Sequence, residues 1–346
     1  MQGKIVLVVD THYSAMGISA HQHSANKNIK VLAALDYSSS GKFVEALVLQ
    51  NSQTVIFTWR RILLDLLMVR SSRRQLLELR KKSRIYFVVA DHLGIESKYF
   101  AEEMPIFNFA DGYFVTNRML EHEYSIKLPY NRPSGLFRDL PNLSNIDIVR
   151  KESIERLPNK VIWVGNSKWG SHYGFHDHKG LSAIALPLKE KLEKANPKFV
   201  LKIIDSATGY LDNLSVLREI ASSKVLIQTS DSEGTGIPLL EALALGTIPI
   251  TNRVGVAEEI LTDSFSGNVI KKEVDYYFDK IMEVANTNSD ENKLVGIFAN
   301  YLESSGVPEV SGDTKKYTPL DKFSLQKQIM ASIFWKIRFI KNFLRH

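Results

Sequence analysis

The chain has 346 residues, 44% of them hydrophobic, which is enough for proper cores and suggests two domains of ordinary size. It has no cysteine, which excludes disulfides and thiolate chemistry and suits a reducing cytoplasm. The net charge of +6 is a modest basic excess whose distribution matters more than its size, and no apolar run approaches the ~20 residues that a transmembrane helix needs.

Strands and helices alternate along the chain, which predicts an α/β architecture with parallel sheets. Residues 4–10 read as a buried strand at the start of the chain rather than as a leader segment. The loop at 10–19 follows it and keeps one glycine, Gly17, with His12 and Tyr13 beside it. Residues 54–59, 85–91 and 112–116 read as further buried strands, and 60–80 as one long helix. Asp91 and His92 stand at the end of the strand that begins at 85. The stretch 129–159 is rich in Pro, Asn, Ser and charge and reads as the exit from the first domain.

The second half opens with strands at 161–165 and 199–204 and a helix at 214–221. A dense unit follows, KVLIQTSDSEGTGIPLLEALALGTIPI, over 224–250. Residues 225–229 are a short β-branched strand, and 230–236 are turn chemistry whose glycines let backbone amides approach a ligand. Ile237 and Pro238 open a helix, Gly246 closes it, and 248–250 is the next strand. A glycine loop feeding a helix N-terminus is suited to a phosphate, because unpaired amides and the helix dipole both favour an anion. Glu233 and Glu241 flank that place, and a carboxylate accepts hydrogen bonds from paired hydroxyls of a sugar or ribose. Residues 286–313 read as peripheral helix and loop, and the tail from 322 as one amphipathic helix.

Glu233 and Glu241, with seven residues between them, resemble the E-x7-E signature of retaining GT-B glycosyltransferases, family 4 in particular. The resemblance implies two Rossmann-like domains facing each other across a cleft: an acceptor-binding domain over 1–155 and a nucleotide-sugar-binding domain over 156–320. A basic helix over 321–346 would cross back onto the first domain. It implies that Glu233 binds donor sugar hydroxyls and Glu241 the ribose. The amides of Gly234, Thr235, Gly236 and Ile237, with Lys179, would stabilise the departing diphosphate. Gly165 ends the strand where the family has Gly-Arg. Asn166 stands at the arginine position, with Lys168 two residues on as a weaker substitute cation. His92 takes the place of the family's strand-end histidine, the other reading being a surface residue beside a capping Asp91. Gly17 stands where relatives carry a glycine pair facing the diphosphate. The shortened stretch between 204 and 214 leaves the base open among UDP, GDP and dTDP types.

His172, His176, Asp177 and His178 lie close in sequence but have no fixed helical spacing, and the chain has no Asp-x-Asp motif, so no metal site and no cofactor are expected. Residues 60–84 carry nine basic residues against Asp65 and Glu78, interleaved with leucines. Residues 322–346 carry six basic residues, no acid, and Phe323, Phe334, Trp335, Phe339 and Phe343. Such segments read as binders of an anionic membrane surface, or else as packing helices with solvated basic faces. No nucleic-acid-reading module accompanies the charge. The expected function is retaining transfer of a sugar from a nucleotide-diphosphate sugar to a hydroxyl of a glycan or lipid-linked glycan, of the bacterial surface polysaccharide type, at the inner face of the plasma membrane. The alternatives are a non-catalytic GT-B-like protein that binds sugar nucleotide or a partner, and an epimerase of the same fold whose acid/base set the sequence does not display.

Overall fold

The structure is a computed structural model that describes residues 4–25, 28–91, 100–171, 174–209, 211–287, 290–308 and 325–343. The first unit alternates β1 (Ile5–Val9), α1 (Ala15–His23), β2 (Ile29–Ala33), α2 (Ser40–Leu49), β3 (Thr54–Phe57), α3 (Arg60–Met68), α4 (Arg70–Arg80), β4 (Arg84–Val89), α5 (Phe100–Phe109), β5 (Gly112–Val115) and α6 (Arg118–Lys127). Its sheet has the order β2-β1-β3-β4-β5, parallel throughout. β3 and β5 are buried at every position and β4 at all but its first, as expected of strands covered by helices on both faces. The second unit runs α7 (Leu143–Arg150), β6 (Leu157–Gly165), α8 (Leu186–Ala195), β7 (Val200–Asp205), α9 (Asn213–Ala221), β8 (Ser223–Gln228), α10 (Ile237–Ala244), β9 (Ile248–Thr251), α11 (Ala257–Ile260), α12 (Val274–Ala285) and α13 (Glu291–Glu303). Its parallel sheet has the order β7-β6-β8-β9. The last helix, α14 (Leu325–Phe343), returns to the first unit and packs on α3 and on the short 3₁₀ turn Ala34–Asp36 after β2.

Several expectations are corrected. The chain divides between Leu140 and Pro141 and returns to the first unit at Gly306, so α7 sits in the second unit, whereas the expected boundary lies after 155. The long helix at 60–80 is two helices, because Val69 is extended (φ −86°, ψ 117°) between α3 and α4. α3 is buried over Ile62–Met68, whereas α4 buries only Ser72, Leu76 and Leu79. Much of the basic charge there is internal. Arg60 pairs with Glu103 at 2.9 Å, Arg61 with Asp65 at 3.1 Å and Arg80 with Asp111 at 2.9 Å. α13 is not peripheral: it buries Leu294, Phe298 and Tyr301 and packs against α10.

In both sheets the strand order reverses direction beside the first strand. In the first unit the reversal lies between β1 and β3, and in the second between β6 and β8. Ligands of doubly wound sheets bind at the carboxyl ends of the strands beside such a reversal. In the second unit that edge is formed by Gly165 and Gln228, and the loops after them carry the lysines and glutamates singled out above.

Candidate functional site

α10 is set at both ends by glycines that the sequence made recognisable. Gly236 precedes it in the left-handed region (φ +84°, ψ 66°), and the helix begins without a side-chain cap. Among the described residues no side chain caps this turn; the Leu239 N–H donates to Gly236 O at 3.0 Å, and Pro238 needs no partner. At the other end Gly246 is left-handed (φ +72°). Its N–H donates to Leu243 O at 3.2 Å and that of Thr247 to Ala242 O at 2.9 Å, a Schellman closure. Arg156 adds two bonds of 2.6 Å to Leu245 O and Gly246 O.

The loop after β6 is fastened onto the loop before α10. Thr229 Oγ1 donates to Lys179 O at 2.7 Å and accepts from Trp163 Nε1 at 2.9 Å. The N–H of Asp231 donates to His178 O at 2.8 Å. Gly180 (φ +67°) lies so close that a Cβ would meet Thr229 O at 2.2 Å, so this crossing requires glycine. The result brings Lys179 to Glu233: Nζ and Oε1 are 2.5 Å apart, and the side chains are only 15% and 17% exposed. Ser230 Oγ also donates to Glu233 Oε1 at 2.5 Å. Glu233 is thus a largely buried, paired carboxylate, not the solvent-facing loop residue that turn chemistry alone suggests.

Glu241 lies on the first turns of α10 and is buried. Asn213 Nδ2, at the start of α9, donates to its Oε1 at 3.1 Å, and Asn213 Oδ1 accepts from Asn145 Nδ2 at 2.9 Å. Burial raises the Glu241 pKa to about 7, and the Asn213 bond offsets only part of that.

The other expected residues fall as follows. Gly165 ends β6 against the Trp163 indole, which a Cβ would meet at 2.7 Å, so its glycine serves packing. Lys168 is exposed; desolvation would raise the Asp205 pKa, but the bonds it accepts from Ser167 and Ala207, with the Lys168 charge behind them, hold it below the usual carboxylate range. Gly17 is in the first unit, in the opening turn of α1. Its N–H donates to the N-cap Ser14 Oγ at 3.0 Å, and a Cβ would meet Thr11 O at 2.0 Å. His12 Nδ1 is 2.8 Å from His21 Nε2, and His12 Nε2 is 3.1 Å from Asp36 Oδ2. His92 lies outside the described residues.

The histidine loop has structural work to do. Asp177 (φ +51°) accepts from the N–H groups of Ser182 at 3.0 Å and Ala183 at 2.7 Å, capping the helix that leads into α8. His178 is buried 3.3 Å from Ser232 Oγ, and desolvation with the neighbouring Lys179 lowers its pKa. His176 is exposed, and His172 lies outside the described residues. Among the described residues no group of three or more His, Asp or Glu is placed to hold a metal ion.

Sequence reasoning missed Asn213, Ser230 and Gln228. Ser230, three residues before Glu233, is the one whose spacing could have announced it. Gln228 ends β8 with its amide buried. Among the described residues neither its Oε1 nor its Nε2 has a hydrogen-bond partner, and both are 3.0 Å from where a Gly236 Cβ would sit.

Two doubly wound parallel sheets, one in each unit, are the architecture of the GT-B fold. Comparison with known proteins agrees. Residues 187–296 match the family model described as glycosyl transferases group 1. No curated protein matches the chain. Among solved structures it is similar to an α,α-trehalose-phosphate synthase (UDP-forming) from Burkholderia xenovorans in complex with glucose-6-phosphate. The TM-score is 0.59 at 8% identity, over 99% of each chain. It is also similar to Anabaena HepE in complex with UDP-glucose, with a TM-score of 0.53 at 12% identity, over 88% of this chain and 100% of that one. A third similarity is to TarM, with a TM-score of 0.54 at 13% identity, and there the chain spans 57% of TarM's length. At these identities the likeness establishes the fold.

Proposed function

We propose that this protein is a retaining, family 4-type glycosyltransferase that moves a sugar from a nucleotide-diphosphate sugar to a hydroxyl of a glycan or lipid-linked glycan. The observation that carries the reading is the Lys179–Glu233 pair, held beside the uncapped N-terminus of α10, with Glu241 buried on the same helix. A cation, the positive end of a helix that no side chain caps and two carboxylates match the parts of such a donor: diphosphate, ribose hydroxyls and sugar hydroxyls. Donor binding exchanges the pair. The diphosphate takes the charge of Lys179, and the sugar hydroxyls take the carboxylate of Glu233. Charge that develops on the leaving diphosphate then meets groups already in place. The resemblance implies attack from the same face, with the departing phosphate taking the acceptor proton, and no enzyme nucleophile is required. His92 remains the candidate to touch the donor sugar. That one neighbour of the fold, Anabaena HepE, was solved with UDP-glucose supports a nucleotide sugar as donor. Metal independence follows from assigning the diphosphate charge to Lys179 and amides. The acceptor side is assigned to the first unit, at an anionic membrane surface on the cytoplasmic face, in surface polysaccharide synthesis.

Incubating the protein with UDP-, GDP- and dTDP-sugars, with and without chelator, and following nucleoside diphosphate release tests this. Release with one base, unaffected by chelator and lost in Glu233→Gln, is expected. The absence of both binding and release would sink the reading. Binding without release would instead support a non-catalytic sugar-nucleotide-binding protein, a reading favoured by Asn166 at the arginine position and by the exposure of Lys168.

A further inference from the structure

α14 has two faces that differ in what they touch. Ala331 and Trp335 are buried, and Trp335 Nε1 donates to Tyr37 O at 3.0 Å. Arg338 pairs with Asp65 and lies over the Trp59 ring at 5.2 Å, and Asn342 Nδ2 reaches Leu35 O at 3.4 Å. This face fastens the helix to α3 and the turn after β2. The opposite face is also apolar and faces outward: Ile329, Met330, Ile333, Phe334, Ile337 and Ile340 are each 41–52% exposed. Residues 329, 333, 337 and 340 recur at helical spacing, so they form one stripe, extended by Phe343 at 72% exposure. Over 329–343 the stripe is about 21 Å long, from the 1.5 Å rise per residue of a helix. A helix docked on a domain ordinarily turns polar residues outward, and a contiguous exposed apolar stripe marks an interaction surface.

The charge beside the stripe identifies the partner. α14 contains no acidic residue, and Lys336 and Lys341 border the stripe. Between α4 and α14 lies a groove of about 740 Å³ whose walls include Arg70, Arg74 and Lys336 beside Ile329 and Ile333. A second copy of the chain set against this stripe would bring cations against cations. An anionic bilayer supplies both things the surface wants, acyl chains for the stripe and headgroup phosphates for the flanking cations.

We propose that the outward face of α14, with Arg70 and Arg74 of α4, is a membrane-docking surface that lies in the plane of an anionic bilayer and inserts the Ile329–Ile340 stripe below the headgroups. This deepens the membrane-surface element of the proposed function by assigning it to a particular face. The insertion is made by α14, α4 contributes a cationic margin, and Trp335 belongs to the core.

The test is flotation of the full chain with phosphatidylcholine vesicles, with and without phosphatidylglycerol. Ile333→Glu/Ile337→Glu should lower the partition coefficient into phosphatidylglycerol vesicles about tenfold or more at every salt concentration, because two apolar side chains of the inserted stripe become charged. Its melting temperature should stay at the wild-type value, because neither residue faces the core. Arg70→Glu/Arg74→Glu should weaken binding about tenfold at low salt, with the difference shrinking as salt rises. Wild-type protein that ignores phosphatidylglycerol vesicles, or an Ile333→Glu/Ile337→Glu variant that binds as wild type, overturns the proposal. So does a wild-type dimer that these substitutions dissociate, which would make a second copy the occupant. Flotation needs no donor and no transfer, so its failure leaves the glycosyltransferase reading standing, and a failed transfer assay leaves the docking surface standing.

Discussion

At the scale of single residues, the site is built from groups that are stable only together. Lys179 and Glu233 are both largely buried, so removing one leaves the other without its charge partner in a poorly solvated place. Lys179→Met and Glu233→Gln should each destabilise the protein, and the double variant should recover part of the loss. A coupling of about 1–3 kcal/mol in urea unfolding is expected for such a contact. Additive effects would mean that the two side chains do not pair in solution. Glu241 is a second case. Its ordinary pKa of 4.5 is raised to about 7 by burial. A carboxyl with a raised pKa in the folded state contributes stability that is present in full below 4.5, declines as pH rises, and is gone above about 7. The difference is roughly 3 kcal/mol at 1.36 kcal/mol per pKa unit. Glu241→Gln should therefore gain stability relative to wild type as pH is taken from 4.5 to 8, read by urea unfolding at both values. If the ionised form accepts the ribose hydroxyls, wild-type nucleotide affinity should rise with pH through about 7, and Glu241→Gln should abolish that rise. A pH-independent stability difference would mean that Glu241 titrates as an ordinary exposed acid.

At the scale of elements, the crossing of the loop after β6 over the end of β8 determines whether Lys179 arrives at all. Gly180 is left-handed with Thr229 O against it, so Gly180→Ala meets both a backbone penalty and a clash with backbone. A loss of about 1–3 kcal/mol in thermal unfolding is expected, accompanied by a raised KM for donor. Unchanged stability would show that the loop relaxes freely and does not depend on this contact. The same comparison explains what was readable beforehand. β1, β3, β4, β5, β8 and β9 are short apolar runs bounded by turn residues, and both glutamates and their glycines stand at fixed spacing within the 224–250 unit. β2 was not legible, because Ile29 and Lys30 of this edge strand are not buried and its run is short. α2 escaped too, although Ser39 caps it through Lys42 N. The break at Val69 carries neither Gly nor Pro. The pairing of Lys179 with Glu233 spans 54 positions, and that of Asn213 with Glu241 spans 28, and no local pattern encodes either.

At the scale of the whole molecule, the chain leaves the first unit at Leu140 and comes back at Gly306, so the last helix belongs to the unit that the first strand begins. Trp335 is the fastening. It is 2% exposed, 5.9 Å from the Phe43 ring, and bonded to Tyr37 O. Trp335→Ala removes a large buried side chain and should cost the first unit about 3–5 kcal/mol, lowering its melting transition by several degrees or more. The donor groups, Lys179, Glu233, Glu241 and the N-terminus of α10, all belong to the second unit. Below the new melting transition, nucleoside diphosphate affinity in Trp335→Ala should therefore stay within about twofold of wild type, a change of under ~0.5 kcal/mol. Calorimetric titration of UDP, GDP and dTDP against both proteins measures this. A large loss of affinity in a variant still folded by circular dichroism would show that the nucleotide site needs the first unit, and the donor-binding role would then have to be reassigned to both units together.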